Sequence, residues 1–578
     1  MRPSSLQQVI VLGHMDAGKR RLPPNLRTDS LGSGSAMRGM MKRREFVKSA
    51  SWAAGAWALR GRAFGAAFGG GEEAGAESWN FTTDVAVLQR VHNAALTTLR
   101  GNVVKLAEYA DPVLIEGSVY RGVWQECGPL EGLVDSEVGP EGARTAARHN
   151  HLVFFALQKD DGQLPSAVKE SGLGYGQIQM VVPIAATAWE LAQRWGDEEL
   201  LTKAYAACGK WDAWLRRYRN TRGTGLCEGF CTYDTGMDNS PRWKGVPNRC
   251  PDADARKCPD APGVPRLCPD LSATVYGARV ALAAMAQALG KRSEAERWTA
   301  DAETIRKLIV ERLYDPQDGA FYDLDTENHF VKVRSTATLR VLGEHVVDAA
   351  LFATIWEKQV HNPAAFWAPY PFPSAALNDP TFVRPIPRNS WGGAAQALTA
   401  LRAPRWMEHY GKPAALGYVM QRWMEALLRA GEFRQQMDPV TGEFTLKDPG
   451  GYSPAALVFC DFLWRLSGVR EQDGKLEWNV RPPAVGGRST FTRTIGGTDS
   501  QAQAELRYEG SRAELLLGGR RIARVDGVVR LVGTRSGELL EAVGIADRVS
   551  AVTLFVAEQD VRVFSVAANA RVALRSSG

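Results

Sequence analysis

The chain contains no Cys-x-x-Cys pair and only eight histidines in 578 residues. The paired zinc knuckle is thereby excluded. His149 and His151 flank Asn150 in a helical stretch, so they point to different faces instead of gripping one ion. His409, in Glu408-His409-Tyr410, stands alone and reads as structural. Neither a metal nor any other cofactor is expected. There is no Gly-x-Ser-x-Gly elbow to present a nucleophilic serine. The longest candidate for a membrane segment, Ser49 to Leu59, is too short to span a bilayer.

A basic excess is also missing once the beginning of the chain is set aside. The formal net charge is +6, but residues 1–70 hold twelve of the 70 Lys/Arg and three of the 64 Asp/Glu. The rest is slightly acidic, with 58 basic and 61 acidic residues. No nucleic-acid partner is implied.

The basic beginning reads as a leader. Lys42-Arg43-Arg44-Glu45-Phe46-Val47-Lys48 is a twin-arginine pattern, followed by a weakly apolar run and small residues at Ala63 to Ala67 where a peptidase could cut. The expectation is export by the twin-arginine machinery to the periplasm or beyond. Met40 or Met41 is then the natural start, and residues 1–40 form an extension. Within it, Gly13-His14-Met15-Asp16-Ala17-Gly18-Lys19 imitates a phosphate-binding loop. Arg20 replaces the magnesium-binding hydroxyl, and Leu22-Pro23-Pro24 forbids the helix that would hold the phosphates. No NKxD-type guanine-reading motif follows, so nucleotide binding is rejected.

Eight cysteines in an exported chain are free to pair. Cys227, Cys231, Cys250, Cys258 and Cys268 crowd around a Pro/Asp-rich insertion at 244–270 that has too little apolar content to form a core. Disulfides are the expected staple, with Cys127 a possible sixth partner. Zinc, or calcium around Asp252 and Asp254, is the lesser option. Cys208 and Cys460 fall in apolar helical patterns and read as core.

Between about residues 80 and 468 the apolar periodicity is helical. Clear runs are 84–109, 142–157, 180–195, 198–218, 271–289, 294–313, 348–360, 394–401, 416–428 and 454–466. Several, notably 180–195, are apolar around most of their circumference and so need burial on two sides. A plain bundle satisfies periodicity alone. Long aromatic-rich loops between helix pairs favour a mainly α architecture, an (α/α)6 barrel whose bowl lies at one end. From 475 to 578 the pattern turns to short alternating runs punctuated by Gly and Asp, which predicts a small C-terminal β-sandwich.

The segment Gly236-Met237-Asp238-Asn239-Ser240-Pro241-Arg242-Trp243 puts a carboxyl group beside an amide, a guanidinium and an indole in a Gly/Pro-bounded loop. Protonating a glycosidic oxygen needs such a carboxyl, partly desolvated so that its pKa rises. A Pro turn with an Asn/Ser cap is the competing reading. Seventeen tryptophans, several in loops, supply flat apolar faces for sugar rings. Candidate binding residues are Arg121, Trp124, Asn239, Arg242, Trp243, Trp367, Tyr370, Arg388, Asn389 and Trp391.

This segment resembles the general-acid segment of glycoside hydrolase family 63 and the related trehalases, and Tyr452-Ser453-Pro454 opens the last helix as it does there. The resemblance covers about residues 85–468. It implies an (α/α)6 barrel, an inverting hydrolase of α-linked glucosides or mannosides, and Asp238 as the acid. Inversion needs a second carboxylate across the pocket, at roughly 6.5–9.5 Å. In the family it is a Glu four residues before the Pro of a P-x-T-G segment, and here that place is held by Gln435, before Pro439-Val440-Thr441-Gly442. An amide cannot take a proton from water at neutral pH. Glu432 and Asp438 are the nearby substitutes. The alternative is a non-catalytic carbohydrate-binding protein on the same scaffold, its base lost at Gln435. A lyase, which would want a Tyr/His pair, is a weaker third reading.

Overall fold

The computed structural model describes residues 79–445, 449–483, 486–495, 502–556 and 560–574. The twin-arginine pattern, the cleavage region and the imitation phosphate loop lie outside these residues.

Twelve α-helices form among the described residues. They are α1 (Ala86–Gly101), α2 (Gly128–Val138), α3 (Ala143–Ala156), α4 (Ile184–Trp195), α5 (Glu198–Tyr218) and α6 (Pro269–Ala288). Then come α7 (Arg292–Leu313), α8 (Ala337–Gly343), α9 (Ala349–Ile355), α10 (Ala397–His409), α11 (Pro413–Ala430) and α12 (Ser453–Ser467). None is long and apolar enough to cross a membrane.

Local chemistry explains the boundaries. The Asp197 side chain caps α5 by accepting from Leu200 N, at 2.8 Å, and Glu198 and Glu199 follow in the first turn with Arg216 and Arg217 in the last. Proline opens α6, α11 and α12, where its missing N–H costs nothing. Pro183 delays α4 to Ile184, and residues 178–180 are irregular, with Gln179 at φ 44°, donating from Ile178 N to Asp234 Oδ1 and from Met180 N to Asp234 O. The run 84–109 divides: α1 stops at Gly101, and 103–106 pairs with 109–114 as a hairpin. The run 348–360 ends in a π-helical turn, Trp356–Val360. Helix α10 continues past Leu401 and through Pro404, giving up one backbone hydrogen bond, because Ala403, Trp406 and Met407 are all buried there.

The even-numbered helices touch in a closed cycle. Helix α2 packs on α4, α4 on α6, α6 on α8, α8 on α10, α10 on α12, and α12 returns to α2. Odd-numbered helices lie against them, as α3 does on α2, α5 on α4, α7 on α6 and α11 on α10. A helix flanked by two ring neighbours and an outer helix has no face left for water. Ten of the eleven residues of α2 are buried, Glu131 and Asp135 among them. That is why α2 and α8 carry no amphipathic stripe and escape a periodicity search.

After α12 the chain forms two antiparallel sheets. One has five strands, 469–472, 475–480, 529–534, 539–543 and 571–573. The other has seven, and one of its two edge strands is Trp79–Thr83, from the far end of the chain, with Phe81 opposite Phe491. The sequence pattern assigned residues 79–83 no place in this sheet. Period-two burial sorts the side chains: Ala504, Leu506 and Tyr508 point inward from strand 502–509. The sheets are tied to the helices by the buried Arg530, paired with Glu408 of α10 at 2.7 Å, and by Tyr508, whose hydroxyl donates to Ser467 O at the end of α12.

All eight cysteines are free thiols. The expected disulfides are therefore not formed here, although Cys231 and Cys250 bring their sulfurs to 3.7 Å. Buried Phe230 packs with this pair.

Candidate active site

The loop carrying Asp238 is anchored from below. Asp234, fully buried, is ion-paired to buried Arg219 and accepts from Phe230 N at 2.7 Å and Ile178 N at 2.9 Å. Gly236 then turns with φ 60°, and a Cβ there would sit 1.4 Å from Glu126 Oε2, so both sterics and backbone demand glycine. Two more ties hold the far side: Trp391 N donates to Asp238 O at 3.1 Å, and Asn239 Nδ2 donates to Asn389 O at 2.9 Å.

The Asp238 carboxyl is partly buried and accepts one hydrogen bond, from Asn389 Nδ2 to Oδ2 at 2.7 Å. Burial raises its pKa to about 6, against the opposing pull of Asn389. A polar chain continues from it. Gln435 Nε2 donates to Asn389 Oδ1 at 3.2 Å, and the Tyr120 hydroxyl donates to Gln435 Oε1 at 3.0 Å. Tyr120 meets Trp124 edge to face at 5.9 Å and Tyr452 at 6.0 Å. Asp238, Asn239, Asn389, Gln435 and Trp124 are thus gathered around one site, whereas the expected Trp391 has a buried ring, covered by Arg340 at 5.2 Å, and meets Asp238 through its backbone N–H. Tyr120 belongs to the site and was not singled out from sequence, although it directly precedes the candidate Arg121.

Other expected binding residues have different work. Arg242 does not reach into the bowl. It is 2 % exposed and makes two bidentate pairs, with Asp270 (2.7 and 2.8 Å) and Asp323 (2.6 Å each). Trp243 is likewise buried, its Nε1 donating to Thr235 Oγ1 and its ring covered by Arg266 at 4.8 Å. Both support the loop from beneath. Arg121 is exposed and paired with Glu170. Trp367 stacks on Tyr418 at 5.2 Å, and the buried Tyr370 bonds Glu425. Arg388 is exposed next to Asn389.

The two substitute bases are engaged elsewhere. Glu432 is half exposed and accepts from Arg434 Nε at 2.8 Å. Asp438 pairs with Arg384 at 3.0 Å and caps its own turn through Val440 N, as an Asp before Pro commonly does. Behind Asp238 lies a line of buried acids that sequence reading passed over. Tyr452 donates to Glu116 at 2.5 Å, and burial with mutual repulsion drives the Glu116 pKa well up. Burial lifts Glu126 and Glu131 to about 7 and Asp135 to about 8. Two buried triads, Cys231/Asp234/Cys250 and Cys268/Asp270/Asp323, have the spacing of metal ligands. Their carboxylates are already committed to Arg219 and Arg242, so neither set suits a cation.

Comparison with known proteins follows this geometry. Residues 142–455 match the family described as the mannosylglycerate hydrolase MGH1-like glycoside hydrolase domain. The family 63 mannosylglycerate hydrolase from Thermus thermophilus, solved in complex with Tris, is 18 % identical with a TM-score of 0.53, covering 64 % of this chain and 99 % of its own. The same enzyme in complex with glucose gives 19 % identity and a TM-score of 0.51, covering 65 % and 99 %. A structure titled sialidase aligns over 79 % of this chain and 41 % of its own, with 16 % identity and a TM-score of 0.57. No curated protein matches. At these identities the solved structures speak for the fold alone, and the family match supplies the chemistry. The chain belongs to the family of mannosylglycerate hydrolase MGH1-like glycoside hydrolases.

Proposed function

We propose that this glycoside hydrolase works by inversion on α-linked glucosides or mannosides, with Asp238 as general acid. The observation that carries the reading is the Asp238 carboxyl itself: partly buried, raised to about 6, and held by a single amide donor. A carboxyl in that state keeps its proton up to about pH 6, well above a free aspartate, and can give it to a leaving oxygen. Asn389, Asn239 and Tyr120 supply groups for sugar hydroxyls, and Trp124 a ring face. The closed cycle of six helices supports an (α/α)6 barrel spanning 80–468, and the two packed sheets support a β-sandwich over 475–578. The twin-arginine leader supports export to the periplasm or beyond.

One observation favours a second reading. The side chain joined to Asp238 through Asn389 is Gln435, an amide, which can orient water but not deprotonate it. The scaffold would then bind carbohydrate without cleaving it. Purified protein incubated with defined α-glucosides and α-mannosides, with the anomer of the first product followed by NMR, separates the two. Release of β-configured sugar supports inversion. An α-configured product refutes it, and binding without any cleavage establishes the second reading.

A further inference from the structure

Three side chains from separate stretches of the chain form one line that ends on the acid. The Tyr120 hydroxyl donates to Gln435 Oε1 at 3.0 Å, Gln435 Nε2 donates to Asn389 Oδ1 at 3.2 Å, and Asn389 Nδ2 donates to Asp238 Oδ2 at 2.7 Å. Every bond in the line points the same way. An amide donates on one side and accepts on the other, so each amide hands on the direction it receives.

The main chain around the line is pinned. Tyr120 and Gly117 exchange two backbone hydrogen bonds, each 2.9 Å, and the Tyr120 ring meets Trp124 edge to face. Asn389 sits in the left-handed region with φ 43°, which asparagine tolerates better than most residues, and its carbonyl accepts from Asn239 Nδ2 at 2.9 Å. Trp391 N holds Asp238 O from the other side.

What stays free is the way the two amides face. A half turn of both would reverse the line. Asn389 would then show its oxygen to Asp238, and the proton of the acid would settle between them on Oδ2, out of service. The reversed line also obliges the Tyr120 phenol to accept from Gln435. A phenolic hydroxyl, with a pKa of about 10, gives its hydrogen more readily than an alcohol and takes one less readily. With the phenol in place the forward direction wins. Oδ2 is then occupied by an N–H, and the proton of the neutral acid is left on Oδ1, which makes no hydrogen bond among the described residues.

We propose that Tyr120 is a positioning residue for the acid: through Gln435 and Asn389 it keeps Asp238 Oδ2 on an N–H donor and leaves Oδ1 as the oxygen that delivers the proton. The inference rests on Asp238 being the general acid, which the product analysis above tests separately.

The test reads the proton itself and needs no substrate. Protein carrying 13C in its aspartate carboxyls is titrated by NMR, and the Asp238 signal is identified by its loss in Asp238→Asn. Tyr120→Phe keeps the ring and removes the donor. The Asp238 midpoint should rise by about half a pH unit or more, because the bond from Asn389 that favours the ionised form weakens and the reversed line favours the neutral one. Gln435→Met keeps the bulk of the side chain, cuts the line one step nearer the acid, and should give the same rise. Adding Tyr120→Phe to it should move the midpoint no further. Glu116, Glu126 and Tyr233, which also feel the Asp238 charge, are untouched by these substitutions. Lost packing alone would lower Tm and leave the midpoint still. An unmoved or lowered midpoint in Tyr120→Phe, or a further shift in the double variant, overturns the proposal. Should Tyr120→Phe not fold, an unmoved midpoint in Gln435→Met does so. Wild type that titrates as expected yet cleaves no glycoside refutes the hydrolytic role of Asp238 and, with it, the delivery role of Oδ1.

Discussion

Replacing Asp238 by Asn keeps the size of the side chain and leaves an oxygen to accept from Asn389, so the loop should stay folded. What is lost is the proton that burial stores there at a pKa of about 6. Removing a general acid costs roughly 10²–10⁴ in rate, equivalent to about 2.7–5.5 kcal/mol of barrier. The loss must depend on the leaving group. A natural alcohol needs protonation and should suffer the full effect, whereas an aryl glycoside with an acidic phenol leaves unaided and should lose about tenfold or less. In the wild type, kcat/KM should fall as pH rises through about 6, because the protonated form is the active one. Stopped assays on both substrate types over pH 4–9 measure all of this. A variant that keeps more than a tenth of wild-type activity on the natural-type substrate, or an equal loss on both, refutes Asp238 as the acid.

Three other outcomes follow from the same geometry. Gln435→Glu places a carboxylate where the chain has an amide, and kcat on α-glycosides should rise at least about tenfold; an unchanged rate in steady-state assays shows that another group activates water. Arg242→Lys cannot reproduce two bidentate pairs and leaves Asp270 or Asp323 buried without its partner, so denaturant titration should show a loss of about 3–5 kcal/mol; a loss under 1 kcal/mol would show these pairs to be dispensable. Mild oxidation should join Cys231 to Cys250, whose sulfurs are already 3.7 Å apart, and lower the titratable thiols from eight to six; eight thiols after treatment, counted by mass spectrometry of the alkylated protein, would contradict this.

The legibility of the chain tracked the physics of each part. Outer helices such as α5 show caps, charge bias and an apolar stripe, and their ends are readable to within a residue or two. The inner helices α2 and α8 have no wet face, so nothing periodic marks them. The loop that holds Asp238 could be picked out because its residues form one contiguous segment. The roles of Arg242 and Trp243 could not, because their partners are remote: Asp270 and Asp323 lie 28 and 81 positions away, and no local pattern distinguishes an arginine that holds a sugar from one that holds a loop. The contact between Asn389 and Gln435 is equally hidden, since its members come from separate loops.

The strand Trp79–Thr83 sets a timetable for assembly. It is the first part of the described structure to be made, yet its pairing partner, centred on Phe491, appears about 400 residues later. At a synthesis rate of roughly 5–20 residues per second, these five residues wait about 20–80 s for a neighbour. Throughout that interval Phe81 has the His92 ring to meet, at 5.0 Å edge to face, but lacks Phe491. Those five residues cannot be seated before strand Arg488–Ile495 exists, so trimming the chain past Thr83 would strip one edge from a sheet built almost entirely from its other end.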